Sequence, residues 1–204
     1  MNRNYVLVCI LSLIISCKHQ IPPEEEIINE ILRETVDINT FHIIKQGNNE
    51  TLSFAEFREM FNYISLVYLD EACAVCYPRF IDWQTKIKPL IKRSDFTVLF
   101  IIRGLSYEIF IENALKYGDF QDSFYYVKDP YNTFLTNNQE IPSWIFFDLS
   151  VLIDSENKIK LIGPPFVTPE MAESFLRFIG ETNLYVGETS SGHNIWFEKE
   201  IDKF

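Results

Sequence analysis

The chain has 204 residues, 47% of them hydrophobic and 15% aromatic, with 29 acidic against 18 basic side chains and a net charge of −11. That is too apolar for a disordered chain and long enough to bury one real core. The negative charge excludes sequence-independent nucleic-acid binding, which needs Lys and Arg to replace counterions, and four cysteines are too few for a small disulfide-stapled scaffold.

Residues 1–16 read as an export signal rather than as part of the fold. Arg3 supplies a positive charge, and Tyr5 to Ile15 is an apolar run with no charge. The run is shorter than the ~20 residues a membrane-spanning helix needs. Its end, Leu13-Ile14-Ile15-Ser16-Cys17, resembles a bacterial lipobox. The resemblance implies cleavage before Cys17 and acylation of that cysteine, placing the protein in a bacterial cell envelope, lipid-anchored to a membrane. Acyl chains hold a protein to lipid at about 0.8 kcal/mol per buried methylene. Residues 17–26 follow as a tether, polar, with Pro22-Pro23 and the run Glu24-Glu25-Glu26.

Residues 27–62 read as an N-terminal extension. Ile27, Ile28, Ile31, Leu32 and Val36 recur at helical spacing, which predicts a helix over 26–36. Thr40 to Lys45 reads as a strand and Gly47-Asn48-Asn49 as a turn. Ser53 with Glu56 matches a capping box, so a helix starts at 53 and ends near Tyr63.

The region 63–180 is more regular. Tyr63 to Leu69 is a continuous apolar run, as a strand buried on both faces requires. After Cys73-Ala74-Val75-Cys76 comes a helix with Phe80, Trp83, Ile87 and Leu90 on one face, Pro78 in its first turns and Pro89 kinking or ending it. Phe96 to Ile102 is a strand, and Tyr107 to Tyr117 a helix closed by Gly118. Phe124 to Val127 is a short strand and Pro130 to Asn138 a short helix. Trp144-Ile145-Phe146-Phe147 reads as a buried strand, or as an apolar lip near the cysteines. Ser150 to Ile153 and Ile159 to Ile162 form a hairpin around Asp154-Ser155-Glu156-Asn157. Thr168-Pro169 opens the last helix, with Met171, Phe175, Phe178 and Ile179 inward and Gly180 as its stop. Strands alternating with helices call for a parallel sheet covered on both faces, to which the hairpin adds antiparallel strands. In the polar tail 181–204, Leu184 to Val186 and Ile195 to Phe197 can pair across Ser190-Ser191-Gly192.

Once Cys9 leaves with the signal and Cys17 takes lipid, two thiols remain, Cys73 and Cys76. They lie three residues apart at a strand-to-helix junction. The first turn of a helix has unpaired N–H groups and partial positive charge, which stabilise a thiolate at Cys73. Cys76 lies almost a turn further on and can reach Cys73 to form a disulfide or resolve a mixed one. Asp70 and Glu71, just before the motif, oppose the thiolate. They favour a reductase-like or structural pair over a strong oxidant. One Cys-x-x-Cys supplies only two of the ligands a zinc site wants, and no motif surrounds His19, His42 or His193.

The strand 63–69, the Cys73–Cys76 motif and the element order after it resemble the thioredoxin-like superfamily. The segment Leu152-Ile153-Asp154-Ser155-Glu156-Asn157-Lys158-Ile159 is similar to the hairpin of TlpA/ResA-type thiol–disulfide oxidoreductase lipoproteins of Bacteroidetes-type bacteria. The resemblance spans about 63–180. It implies an α/β thioredoxin-like fold, a central mixed sheet with helices on both faces, with the extension and the tail added. It implies thiol–disulfide exchange on envelope proteins, with Cys73 attacking and Cys76 resolving as a Cys73–Cys76 disulfide forms. Electrons come from an unidentified membrane dithiol donor, and no bound cofactor is implied. The chain departs from the pattern in three places. Ala72 stands where Trp precedes the motif, and Val67 where a buried acid is common. Pro142 is a candidate for the cis-proline that faces the motif, whereas registering on the hairpin puts Asp148 or Leu149 there. The departures support a second reading, a non-catalytic interaction scaffold with a structural disulfide.

Overall fold

The computed structural model describes residues 24–47, 50–87, 95–180, 184–188 and 194–198. The chain divides into residues 1–30 and 31–204. In the first unit the described residues belong to helix α1 (Glu24–Ile31). It is shorter than the predicted 26–36, for residues 34–36 are extended: Thr35 bridges Lys158, and the Val36 N–H donates to the Asn157 carbonyl. The proposed signal and Cys17 lie outside the described residues. Among the described residues no helix is long and apolar enough to cross a membrane.

The second unit is built on a seven-stranded sheet. Its strands are β1 (Ile43–Gln46), β2 (Glu50–Ser53), β3 (Tyr63–Asp70), β4 (Phe96–Arg103), β5 (Tyr125–Lys128), β6 (Val151–Ile153) and β7 (Ile159–Ile162). They lie in the order β2-β1-β5-β4-β3-β6-β7. The three central strands β5, β4 and β3 are parallel, with Leu66 opposite Leu99 and Leu99 opposite Tyr125. Both flanking hairpins are antiparallel, so the sheet is mixed. β2 is a strand that the polar Glu50-Thr51-Leu52-Ser53 did not predict; with β1 it carries the 27–62 extension into the sheet.

The central strands are buried on both faces, which explains why their sequences run apolar without alternation. Side chains nevertheless alternate in space. Val67 and Leu69 with Val98, Phe100 and Ile102 face helices α3 (Cys76–Lys86), α4 (Tyr107–Ala114) and α7 (Pro169–Phe178). Phe80 packs there against Phe100, ring centroids 4.7 Å apart, and Phe96 against Phe175 at 4.9 Å. Tyr68 and Tyr125 face the other way. They meet helices α2 (Phe54–Met60), α5 (Thr133–Asn137) and α6 (Ser143–Asp148) through Phe57–Tyr125, Tyr68–Phe134 and Tyr68–Phe147 contacts.

Local signals account for most boundaries. The Ser53–Glu56 capping box is present with both bonds, although α2 stops at Met60 because Tyr63 already belongs to β3. Thr168 caps α7 by accepting from the Met171 N–H, with Pro169 in the first turn, and Gly180 stops it at φ 75°. The buried face of α7 includes Ala172 and Leu176 beside Phe175. Asn157 takes the left-handed turn position at φ 61°, which Asn tolerates better than other side chains.

Three more expectations are corrected. Trp144 to Phe147 is helix α6, not a strand: its Ile145 and Phe146 are buried while Phe147 is 36% exposed. Four apolar residues in a row do not distinguish a buried strand from a buried helical turn. α5 begins at Thr133 rather than Pro130, because buried Asp129 accepts from the Thr133 and Phe134 N–H groups and fixes the helix start. α4 ends at Ala114, and Gly118 is not among the left-handed glycines. The predicted Leu90 and Pro89 lie outside the described residues. In the tail, β8 (Leu184–Glu188) and β9 (Asn194–Glu198) form the expected antiparallel pair, with Val186 opposite Trp196.

Candidate functional site: a dithiol at the end of the central strand

The site forms where β3 ends. The 70–76 segment turns twice: the Cys73 N–H donates to the Asp70 carbonyl at 3.1 Å, and the Cys76 N–H to the Cys73 carbonyl at 3.0 Å. α3 proper starts at Cys76, with Val75 as its N-cap and no side chain capping it. Cys73 therefore stands one turn ahead of the helix, not within it. The intervening Val75 is 76% exposed.

Both cysteines are thiols in this structure, and they differ in surroundings. Cys73 is half-buried; Cys76, the first residue of α3, is 5% exposed and belongs to the core. The Asp70 N–H points at Cys76 Sγ at 3.5 Å. Burial, reinforced by the neighbouring Cys73, pushes the Cys76 thiol up to about 12. The outer sulfur is thus the accessible one and the inner sulfur keeps its proton.

The two acids before the motif are committed elsewhere. Asp70 accepts from the Ala72 N–H at 2.8 Å and pairs with Arg103 at 3.1 Å. Glu71 reaches over to the β4–α4 loop, where Oε2 accepts from the Leu105 N–H at 2.9 Å and the Ser106 N–H at 3.4 Å. Its reach depends on Gly104. A Cβ there would lie 2.6 Å from the Glu71 Cβ. Asp70, Glu71, Ala72, Arg103, Leu105 and Pro130 line an open cleft of about 300 Å³ beside the motif.

A residue that the sequence reading missed is Arg79. It lies three residues beyond Cys76, on the same side of α3. Its Nη1 donates to the Phe147 carbonyl at the end of α6. Its Nε and Nη2 are buried without a hydrogen-bond partner among the described residues. Burial lowers its proton affinity, and the nearby Cys76, Asp148 and Cys73 act to hold the charge. The i, i+3 spacing from Cys76 was the available signal; that α6 would close over it was not visible.

Pro142 is not the cis-proline candidate the sequence suggested. No peptide bond among the described residues is cis, and Pro142 is the N-cap of α6 at φ −53°. The apolar stretch after it has coiled into that helix. Val67 is fully buried and apolar, as read. Asp148, at the end of α6, acts on Arg79.

No known protein family and no curated protein matches the sequence. Solved structures do match. A Chlorobium tepidum protein assigned to the DsbE thiol:disulfide interchange type aligns at TM-score 0.50 and 14% identity, over 72% of this chain and 99% of that one. The thioredoxin domain of a Bacteroides vulgatus thiol–disulfide oxidoreductase aligns at TM-score 0.47 and 15% identity, over 67% and 91%. Thioredoxin from Wuchereria bancrofti aligns at TM-score 0.47 and 14% identity, over 68% and 96%. The first of these likenesses, with the strand order and the helices on both faces, establishes the architecture: the chain is thioredoxin-like in fold.

Proposed function

We propose that the protein carries out thiol–disulfide exchange on envelope proteins, with Cys73 as nucleophile and Cys76 as resolving thiol. The observation that carries this reading is the asymmetry of the pair: Cys73 is half-buried at the head of the turn, whereas Cys76 is 5% exposed and burial holds its proton. That is the order of events exchange needs. The Cys73 thiolate attacks a substrate disulfide, and a mixed disulfide forms as one substrate sulfur leaves and takes up a proton. Cys76 then loses its proton to solvent and attacks Cys73. The Cys73–substrate bond breaks, the second substrate sulfur leaves and is protonated, and a Cys73–Cys76 disulfide remains. The substrate disulfide is reduced to two thiols, the protein dithiol is oxidised, and a membrane dithiol donor restores it.

Exposed apolar side chains on the loops at this end of the sheet, Val75, Leu105 and Tyr131, suit protein substrates with little charge preference. The DsbE-type likeness supports an envelope setting, and Cys17 would take the lipid anchor. Reduction of insulin by dithiothreitol tests the activity, comparing wild type with Cys73→Ser and Cys76→Ser. Acceleration by wild type alone is expected. Equal background turbidity in all three would refute exchange and leave the scaffold reading, with the dithiol as a structural pair. Loss of membrane association in Cys17→Ala, and its retention in Cys73→Ser, tests the anchor.

A further inference from the structure

Resolution of a mixed disulfide requires Cys76 to become a thiolate inside the core. The side chains that share its cluster are nearly all apolar: Val67, Leu69, Phe80 and Trp83 among them. An isolated anion there is strongly disfavoured. Val67, on the strand beneath the motif, offers no carboxylate to take the proton. The groups that act on the Cys76 sulfur are the Cys73 thiol, the Asp70 N–H and one cation, Arg79.

We infer that Arg79 is the electrostatic partner of Cys76 in the resolving step, stabilising the thiolate as it forms. Three observations converge on it. Helical register puts Arg79 on the Cys76 side of α3. The Nη1 bond to the Phe147 carbonyl ties the guanidinium to α6 and holds it in place. Two of its nitrogens, Nε and Nη2, are buried with no partner among the described residues. Buried donors are rarely left so, and a group held unpaired beside reactive atoms calls for an explanation. A transient anion nearby supplies one: the charge is matched when the thiolate is present and unmatched when it is not. Asp148 faces Arg79 from α6 and moderates its field, while Asp70 and Glu71 hold their own partners, Arg103 and the 105–106 amides.

This assignment rests on the exchange reading, and the experiment separates the two. Ellman's reagent loads Cys73 with a thionitrobenzoate group, and attack by Cys76 releases the coloured thiolate. Loading itself releases one equivalent of the same thiolate, so the rate of the second equivalent is the resolving rate, with no protein substrate involved. Arg79→Gln keeps a donor for the Phe147 carbonyl but removes the charge; Arg79→Lys keeps the charge. Release about tenfold slower is expected in R79Q, as one unit of thiolate stabilisation implies, with R79K within about threefold of wild type. Loading of Cys73 in a Cys76→Ser background should change far less. If folded R79Q, checked by circular dichroism, releases at the wild-type rate, the role of Arg79 is overturned. A loss in R79K as large as in R79Q overturns it too, because packing and not charge would then be responsible. If wild type releases the second equivalent no faster than Cys76→Ser, it is the exchange reading that fails.

Discussion

The sharpest consequence of the site is a difference in reactivity between two thiols three residues apart. The perturbation is alkylation of the reduced protein with iodoacetamide at pH 8, followed residue by residue by peptide mass spectrometry. Thiolates alkylate and thiols do not, so rate follows ionised fraction. An ordinary thiol at 9.0 is ionised to about one part in ten at pH 8; Cys76, pushed up to about 12, is ionised to about one part in ten thousand. The ratio is about a thousandfold, before any further slowing because Cys76 is only 5% exposed. Cys73, half-buried at the head of the turn, should be modified first and alone. Unfolding in guanidinium should bring the two rates together. The reasoning is refuted if Cys76 in the native protein reacts within tenfold of a free cysteine peptide, or ahead of Cys73.

Other outcomes follow from the core. Tyr68 and Tyr107 are buried, and burial raises both phenols far above 10.0; Cys76 is raised from 9.0. As pH rises past about 9, the unfolded chain releases protons that the native one keeps, so stability is complete below that pH and declines above it, which denaturant melts at pH 8 and pH 10.5 will measure. Phe80→Ala removes a ring packed 4.7 Å from Phe100, 5.3 Å from Phe110 and 5.0 Å from Phe120. It should cost about 3–5 kcal/mol in the same melts. Asp122 accepts from the Tyr107 hydroxyl at 2.6 Å and from Gln84 Nε2 at 3.1 Å. Asp122→Ala leaves both buried donors unpaired and should cost about 1–3 kcal/mol for each, with the dithiol's reactivity unchanged.

What was legible in the sequence was what short-range chemistry decides. Ser53 and Glu56 name their own helix start, and Thr168-Pro169 and Gly180 bracket another. The apolar runs of β3 and β4 announce a sheet covered on both sides. The cysteines declared themselves by spacing. The rest depends on partners distant in the chain. β2 is polar and is a strand because β1 pairs with it; α5 starts where Asp129 meets its amides. Trp144 to Phe147 is helical where its apolar run fits either state, with Phe146 4.7 Å from Phe134. Arg79 acquires its setting from Phe147, which arrives 68 residues later. Each acid at the motif found a partner on β4 or in its following loop, which no local pattern foretells.

The extended segment at 34–36 bears on how the protein behaves in a crowd. β7 is an outermost strand, and the outermost strand of a sheet is a template on which a second copy can add its own strands. Here the chain shields it from within. The Ile159 N–H donates to the Glu34 carbonyl, and the Asn157 carbonyl receives the Val36 N–H, so the start of that edge is already paired. A chain trimmed at residue 43 would lose this cover, together with the buried Val36, Ile38 and Phe41. Its expected fate is self-association through β7, visible as a concentration-dependent shift in sedimentation. The residues before the first strand would then act as a guard on solubility, separate from any part in the chemistry.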